Sequence, residues 1–193
     1  MKKLFTFLLG LLTIFCFSQV QKEVENGIFV NFPNSPAYKT VQNASTFSSK
    51  TESSLVMVLI QRNVIPDYPN YLLAQKKWTA IERKKVADSL LDNAVKGKLD
   101  YTGNAGNVSE IKIGNFFGRK LSYSAINPTN GERGERYSII LLVRDKLINF
   151  ECWQLNANSK FTTEKNNFLT SQLNDKEKII SLLEGRNRPA VSE

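Results

Sequence analysis

Two apolar runs, YSIILLVR from Tyr137 and LINFECWQL from Leu147, stand almost end to end, with only Asp145 and Lys146 between them. A short polar interruption between two apolar runs is the signature of an antiparallel hairpin. With Asp145-Lys146 as its two-residue turn, Val143 pairs with Ile148, Leu141 with Phe150 and Ile139 with Cys152. Side chains alternate faces along a strand and cross-strand partners share a face. These six residues therefore form one apolar surface, and Glu151 and Trp153 point the other way. A cysteine on such a surface behaves as a small hydrophobe with a raised, unreactive pKa. The chain has no histidine, so a Cys-His mechanism is excluded.

The rest of the chain supplies further strands and helices. Residues 28–32, IFVNF, read as a strand stopped by Pro33 and Pro36. Residues 38–52, rich in Ser, Thr, Asn and Lys, read as loop or as a weak edge strand. Leu55 to Ile60 is apolar without alternation, which suits a strand covered on both faces and predicts helices on both sides of the sheet. NVIPDYPN, 63–70, is a turn-rich connection. From Tyr71 to Val95 the pattern is helical but not a single stripe. Ala74, Trp78 and Ile81 share one face, and Ala87, Leu90, Leu91 and Ala94 share another. Either the helix kinks around Arg83-Lys84-Lys85 or it meets two different neighbours, and two helical segments in close sequence are the preferred reading. YTGNAGN, 101–107, reads as a loop. Short strands are expected at 110–113 and 117–125, the second with Phe117, Leu121, Tyr123 and Ala125 on one side and Arg119 as the exception. A closing helix carries Phe161, Phe168, Leu169 and Leu173, with Thr162 or Thr163 as N-cap. Asn174 to Glu177 resembles a capping box that restarts a helix through Leu183.

The N-terminus, MKKLFTFLLGLLTIFCFSQ, has the layout of a secretory signal peptide: two lysines, an apolar run from Leu4 to Phe17, and small residues before a cut at Gln19. The bulky Phe15 before Cys16 favours ordinary cleavage over lipidation at that cysteine. The organisation expected is a signal peptide over 1–18, one domain over 19–185 and a tail over 186–193. Loss of Lys2 and Lys3 lowers the formal charge from +8 to +6. Only Cys152 then remains, so no intramolecular disulfide is possible. The destination expected is the periplasm or the medium, with no transmembrane segment in the mature chain.

Several short signatures resemble the PsbP-like superfamily, and more closely its uncharacterised exported bacterial members. FVNFPNSP follows the opening strand, and FFGRKLSYS is similar to the family's glycine-then-basic strand. RYSIILLVRDKLINFEC is similar to its terminal hairpin and FLTSQL to its closing helix. The resemblance spans most of residues 28–173. It implies an α+β fold: an antiparallel sheet flanked by helices on both faces, an α/β/α sandwich. It also implies a protein that binds or stabilises other proteins and lacks a shared catalytic site.

The absence of histidine removes histidine-based metal sites, and one cysteine makes no thiolate cluster. Gly103 to Gly106 is too short and wrongly placed for a nucleotide-binding loop, so no cofactor is expected. A carboxylate pair such as Glu82 and Asp88 is chemically able to do acid-base work, but a solvated helix face explains both. The most basic stretch is QKKWTAIERKK, 75–85, where Lys76, Lys77, Arg83, Lys84 and Lys85 surround Trp78 and Ile81. One reading is a docking face for an anionic lipid, polysaccharide or acidic protein. The other, preferred on sequence, packs Trp78 and Ile81 on the sheet and leaves the charges solvated. Nucleic acid is disfavoured by export. The function expected is a non-catalytic binding or assembly module of the bacterial cell envelope; the alternative is a carboxylate-dependent hydrolase acting outside the cytoplasm.

Overall fold

A computed structural model describes residues 19–174, apart from 104, 105, 114, 129 and 130. The expected signal peptide, the side chain of Leu173, and the helix and tail expected beyond Asn174 lie outside the described residues. Among the described residues, nine strands and three helices follow in order. They are β1 (Val20–Glu25), β2 (Ile28–Phe32), β3 (Ala37–Val41), β4 (Ala44–Lys50) and β5 (Ser54–Gln61). Helices α1 (Tyr68–Gln75) and α2 (Ala80–Thr102) come next. The chain then forms β6 (Asn107–Ile113), β7 (Phe116–Ile126), β8 (Arg133–Val143), β9 (Lys146–Gln154) and α3 (Ser159–Asn174). Strands β3 to β9 make one seven-stranded sheet in the order β3-β4-β5-β9-β8-β7-β6, every neighbouring pair antiparallel. Strands β1 and β2 form a separate hairpin.

The β8–β9 hairpin sits at the centre of the sheet, with its turn one residue earlier than expected. Arg144 and Asp145 form the loop, Arg144 at a left-handed φ of 59°, so that Val143 faces Lys146. Leu141 then pairs with Ile148, Ile139 with Phe150 and Tyr137 with Cys152. This register places Leu142 opposite Leu147, both buried; the expected one would have set Leu142 against Asn149. The slip is two residues, so every side chain keeps its face. Ile139, Leu141, Val143, Ile148, Phe150 and Cys152 accordingly lie in one core cluster with Val56, Val58 and Ile60 of β5.

The α/β/α sandwich expected from sequence is corrected. On one face α2 lies over β7 and β8, burying Ala87, Leu91 and Val95 against Leu121, Tyr123, Ile140 and Leu142. The other face is layered by the β1–β2 hairpin, through Val24, Ile28, Val30 and Phe32, with α3 beside it through Phe161, Phe168 and Leu169. Helix α1 has no buried residue. The structure is thus mainly antiparallel sheet, without a helical layer on each side. The misleading signal was β5. Its run is unbroken, yet Val56, Val58 and Ile60 are buried while Leu55, Met57 and Leu59 are only half-buried. Consecutive apolar residues therefore did not mean two covered faces.

Local chemistry explains other departures. The hydroxyl-rich region 38–52 is a hairpin whose inward positions on β4 are Ser45, Phe47 and Ser49; serines at core-facing positions hide the alternation. Helix α2 runs through Thr102 before the left-handed Gly103 ends it, so the loop starts later than expected. Asn158 caps α3, its Oδ1 accepting from the Phe161 amide at 3.1 Å, in place of Thr162 or Thr163. In FFGRKLSYS, Gly118 is needed for close approach: a Cβ there would sit 2.6 Å from the Ile140 carbonyl oxygen. Arg119 does face inward with Leu121 and Tyr123 and is buried. Its Nη2 donates to Asp88 and its Nε to Asp92, both at 2.8 Å, which joins β7 to α2.

Cys152 is fully buried. Burial, with the nearby Glu164 charge, pushes its thiol up to about 12. In protein carrying Cys16→Ser or lacking residues 1–18, a thiol reagent is expected to label Cys152 only after denaturant is added. Rapid labelling of the native protein would contradict its place in the core.

Candidate functional site

The basic stretch forms an elbow between α1 and α2. Asp67 caps α1 by accepting from the Asn70 amide at 3.2 Å, with Pro69 in the first turn. The chain breaks after Gln75 and restarts at Thr79, whose hydroxyl accepts from the Glu82 amide at 3.2 Å while the Glu82 carboxylate accepts from the Thr79 amide at 2.7 Å. This is a capping box. The T-x-x-E signature at 79–82 stands in the sequence and locates the break between the two helical segments, ahead of Arg83-Lys84-Lys85 where a kink was one expectation.

The break separates residues that a continuous helix would have aligned. Trp78 is half-buried and meets Tyr71 edge-on at 5.4 Å, and Tyr71 in turn stacks on Tyr68 at 5.9 Å. Ile81, in the first turn of the new helix, is 80% exposed. The expectation that Trp78 and Ile81 both pack on the sheet is therefore corrected. Leu72 and Leu73 on α1 are also exposed, at 40% and 57%. Sequence reasoning missed these two because they look like core residues of an amphipathic helix.

The five cations separate into two groups. Lys84 is engaged, at 2.7 Å from Asp88 and 2.9 Å from Glu110. Lys76, Lys77, Arg83 and Lys85 are exposed, and no ion pair involves them among the described residues. The elbow thus presents three large aliphatic side chains and four uncommitted positive charges within residues 72–85. The Glu82 and Asp88 pair has no shared site: Glu82 closes the capping box, and Asp88 is held by Lys84 and Arg119. Burial raises the Asp88 pKa, but the hydrogen bonds and charges of those two cations outweigh it and hold the carboxyl below its ordinary value.

A second polar cluster lies beneath α2. Glu151, nearly fully buried, accepts from Lys98 Nζ at 2.8 Å and from the Tyr123 hydroxyl at 2.6 Å. Asn149 Nδ2 donates to the same carboxylate at 3.4 Å. Burial raises the Glu151 pKa, yet the Lys98 charge and these hydrogen bonds prevail and hold it below the usual carboxylate range. Burial and the Glu151 charge drive the Tyr123 hydroxyl strongly upward. Each member is committed to another, so the cluster fixes α2 on the sheet. Beside it the Arg136 guanidinium stacks on Trp153, 3.4 Å from the ring centroid.

No helix among the described residues is long and apolar enough to cross a membrane. Comparison with family models gave no match, and no curated protein matches. Among solved structures, the chain is similar to a protein of unknown function, PA94 from Pseudomonas aeruginosa. The identity is 9% and the TM-score 0.34, over 90% of this chain and 99% of that one. A likeness that weak carries no inference.

Proposed function

We propose that this chain is an exported, non-catalytic binding module of the cell envelope that docks on an anionic lipid surface through the α1–α2 elbow. The observation that carries this is Ile81, 80% exposed in the same short stretch of chain as the exposed Lys76, Lys77, Arg83 and Lys85. Exposed aliphatic groups and uncommitted cations within one elbow match the two components of interfacial binding: apolar insertion and attraction to acidic headgroups. An anionic polysaccharide or acidic peptide would use the charges alone and has no need of Leu72, Leu73 and Ile81. Tyr68, Tyr71 and Trp78 add the amphipathic rings that favour a membrane–water boundary. The signal-peptide pattern at 1–18 supports export, and the resemblance to PsbP-like proteins, which commonly bind or stabilise other proteins, supports a non-catalytic role.

Flotation with vesicles of phosphatidylglycerol and phosphatidylcholine tests it. Binding is expected at low salt. It should weaken toward physiological salt as the screening length falls from about 30 Å to about 8 Å. Replacing Lys76, Lys77, Arg83 and Lys85 by Gln is expected to lower partitioning roughly a hundredfold or more, since each cation adds to the attraction. The variant with Leu72, Leu73 and Ile81 changed to Ser is expected to lose binding too. Vesicle binding that depends on the cations but ignores the Ser changes would remove Leu72, Leu73 and Ile81 from the docking surface and contradict apolar insertion.

A further inference from the structure

Left-handed backbone is unevenly placed in this chain. Gly27, Gly103 and Gly131 adopt it, as glycine does at no steric cost. Among the described residues three others do so without being glycine: Gln42 at a φ of 50°, Asn63 at 57° and Arg144 at 59°. All three belong to one end of the sheet. Gln42 lies in the β3–β4 turn, Asn63 follows β5 and Arg144 lies in the β8–β9 turn. The register joins these places, because Val41 pairs with Ala44, Ala44 with Gln61, Gln61 with Leu147 and Leu147 with Leu142. Backbone strain in folded proteins gathers at functional positions.

Arginine suits this conformation poorly. Asparagine tolerates it through local hydrogen bonds, which a long side chain does not offer. The β1–β2 turn meets the same demand with Gly27, at a φ of 79°. Nor does Arg144 gain anything inside the protein: it is exposed, and no ion pair involves it among the described residues. The other cations next to these turns are committed, since Glu25 holds Arg62 at 2.8 Å and Lys146 at 3.4 Å. Arg144 is thus the free positive charge of the β8–β9 turn.

That turn is joined to the elbow. The Val64 amide, just ahead of α1, donates to the Asp145 carbonyl at 2.9 Å. Burial raises the Tyr68 pKa, and the Arg144 charge reaches the same hydroxyl and acts against the rise. Asp145 acts there with the opposite sign but is half-buried, so the guanidinium is the exposed charge. Tyr68 in turn stacks on Tyr71, which meets Trp78. A row of three rings therefore runs from the neighbourhood of Arg144 to the tryptophan of the elbow. We infer that Arg144 is a further lipid-binding residue, whose guanidinium pairs with the phosphate of an anionic headgroup while the elbow is docked. The β8–β9 turn then rests on the bilayer with the elbow. This inference rests on the docking proposed above and extends its surface to the end of the sheet.

Flotation of three single variants with vesicles of phosphatidylglycerol and phosphatidylcholine at low salt tests it. Arg144→Gly is expected to lower partitioning about fivefold, the contribution of one cation at an acidic surface. Its melting temperature is expected to be unchanged or raised, because glycine takes the left-handed conformation without strain. Arg144→Lys keeps the charge and is expected to partition within about twofold of the parent. Lys160→Gln removes a cation that is 72% exposed and 4.0 Å from Glu52, in the β4–β5 connection at the opposite end of the sheet. It is expected to change partitioning by less than about twofold. With the parent floating, the inference alone is overturned if Arg144→Gly floats as the parent does or melts at a lower temperature. It is overturned equally if Arg144→Lys or Lys160→Gln loses as much as Arg144→Gly. A parent that does not float overturns the docking and this inference together.

Discussion

Replacing Lys98 by Met is expected to destabilise the protein by about 3–5 kcal/mol, the usual cost of leaving one partner of a buried ion pair alone. Lys98 reaches Glu151 at 2.8 Å from the last turns of α2, and the Glu151 side chain is only 3% exposed. Its other partners, Tyr123 and Asn149, offer hydrogen bonds but no positive charge. For a domain of this size the loss corresponds to roughly 6–20 °C in melting temperature. The pH dependence supplies a separate check. In the parent, Glu151 titrates below its ordinary value of 4.5. Its contribution is therefore complete above that pH and is lost as pH falls through the depressed folded pKa. Without Lys98 only the burial effect and neutral hydrogen bonds remain, so the carboxyl shifts upward. The variant then gains stability on acidification where the parent does not, and the gap between them narrows from pH 7 to pH 5. Adding Glu151→Gln to Lys98→Met is expected to recover much of the loss. A double-mutant cycle that shows no coupling would remove this pair from the account of how α2 is held.

Phe150→Ala is the second large effect, also about 3–5 kcal/mol. Phe150 is 2% exposed and stands between Val58 of β5 and Ile139 of β8. It lies at the centre of the core that β5, β8 and β9 share with the β1–β2 hairpin and α3. Neighbouring strands are fixed by backbone ladders on both sides of β9, so the cavity has little freedom to collapse. Phe29→Ala is the control: Phe29 is 40% exposed on β2, and its loss is expected to change stability by less than about 1 kcal/mol. Denaturant titration of both variants decides between them. Equal effects would mean that the central face has been assigned to the wrong strands.

The hairpin and its faces were legible because alternation survives a two-residue register slip; the register itself depended on Arg144 entering the left-handed region, which no arginine advertises. The first β-hairpin was half legible, since IFVNF alternates whereas VQKEVE buries only Val24. Helical cover was overestimated for a different reason. Composition records that Leu55, Met57 and Leu59 are apolar, but not that they are only half covered. At the elbow the cations were visible in sequence. Their consequence was only partly visible, because it depends on which of them find carboxylates: Lys84 does, through Asp88 four residues on and through Glu110 on β6, 26 positions away. A cavity of about 620 Å³ between α3, the end of β2 and the β4–β5 connection left no sequence signal at all. It is assembled from β2, the β4–β5 connection and α3, and Thr51, Ser53 and Glu164 are ordinary residues until the fold brings them together.

The central claim, docking of the elbow on an anionic bilayer, is tested most directly by the depth of Trp78. In a Trp153→Phe background Trp78 is the sole tryptophan, and lipids brominated at successive acyl positions quench it according to its depth. At low salt the account predicts quenching by the shallowest bromines in phosphatidylglycerol vesicles. It predicts none in purely zwitterionic vesicles, and none when Lys76, Lys77, Arg83 and Lys85 are all Gln. Protein that floats with anionic vesicles while Trp78 stays unquenched, or that fails to float at all, would contradict it.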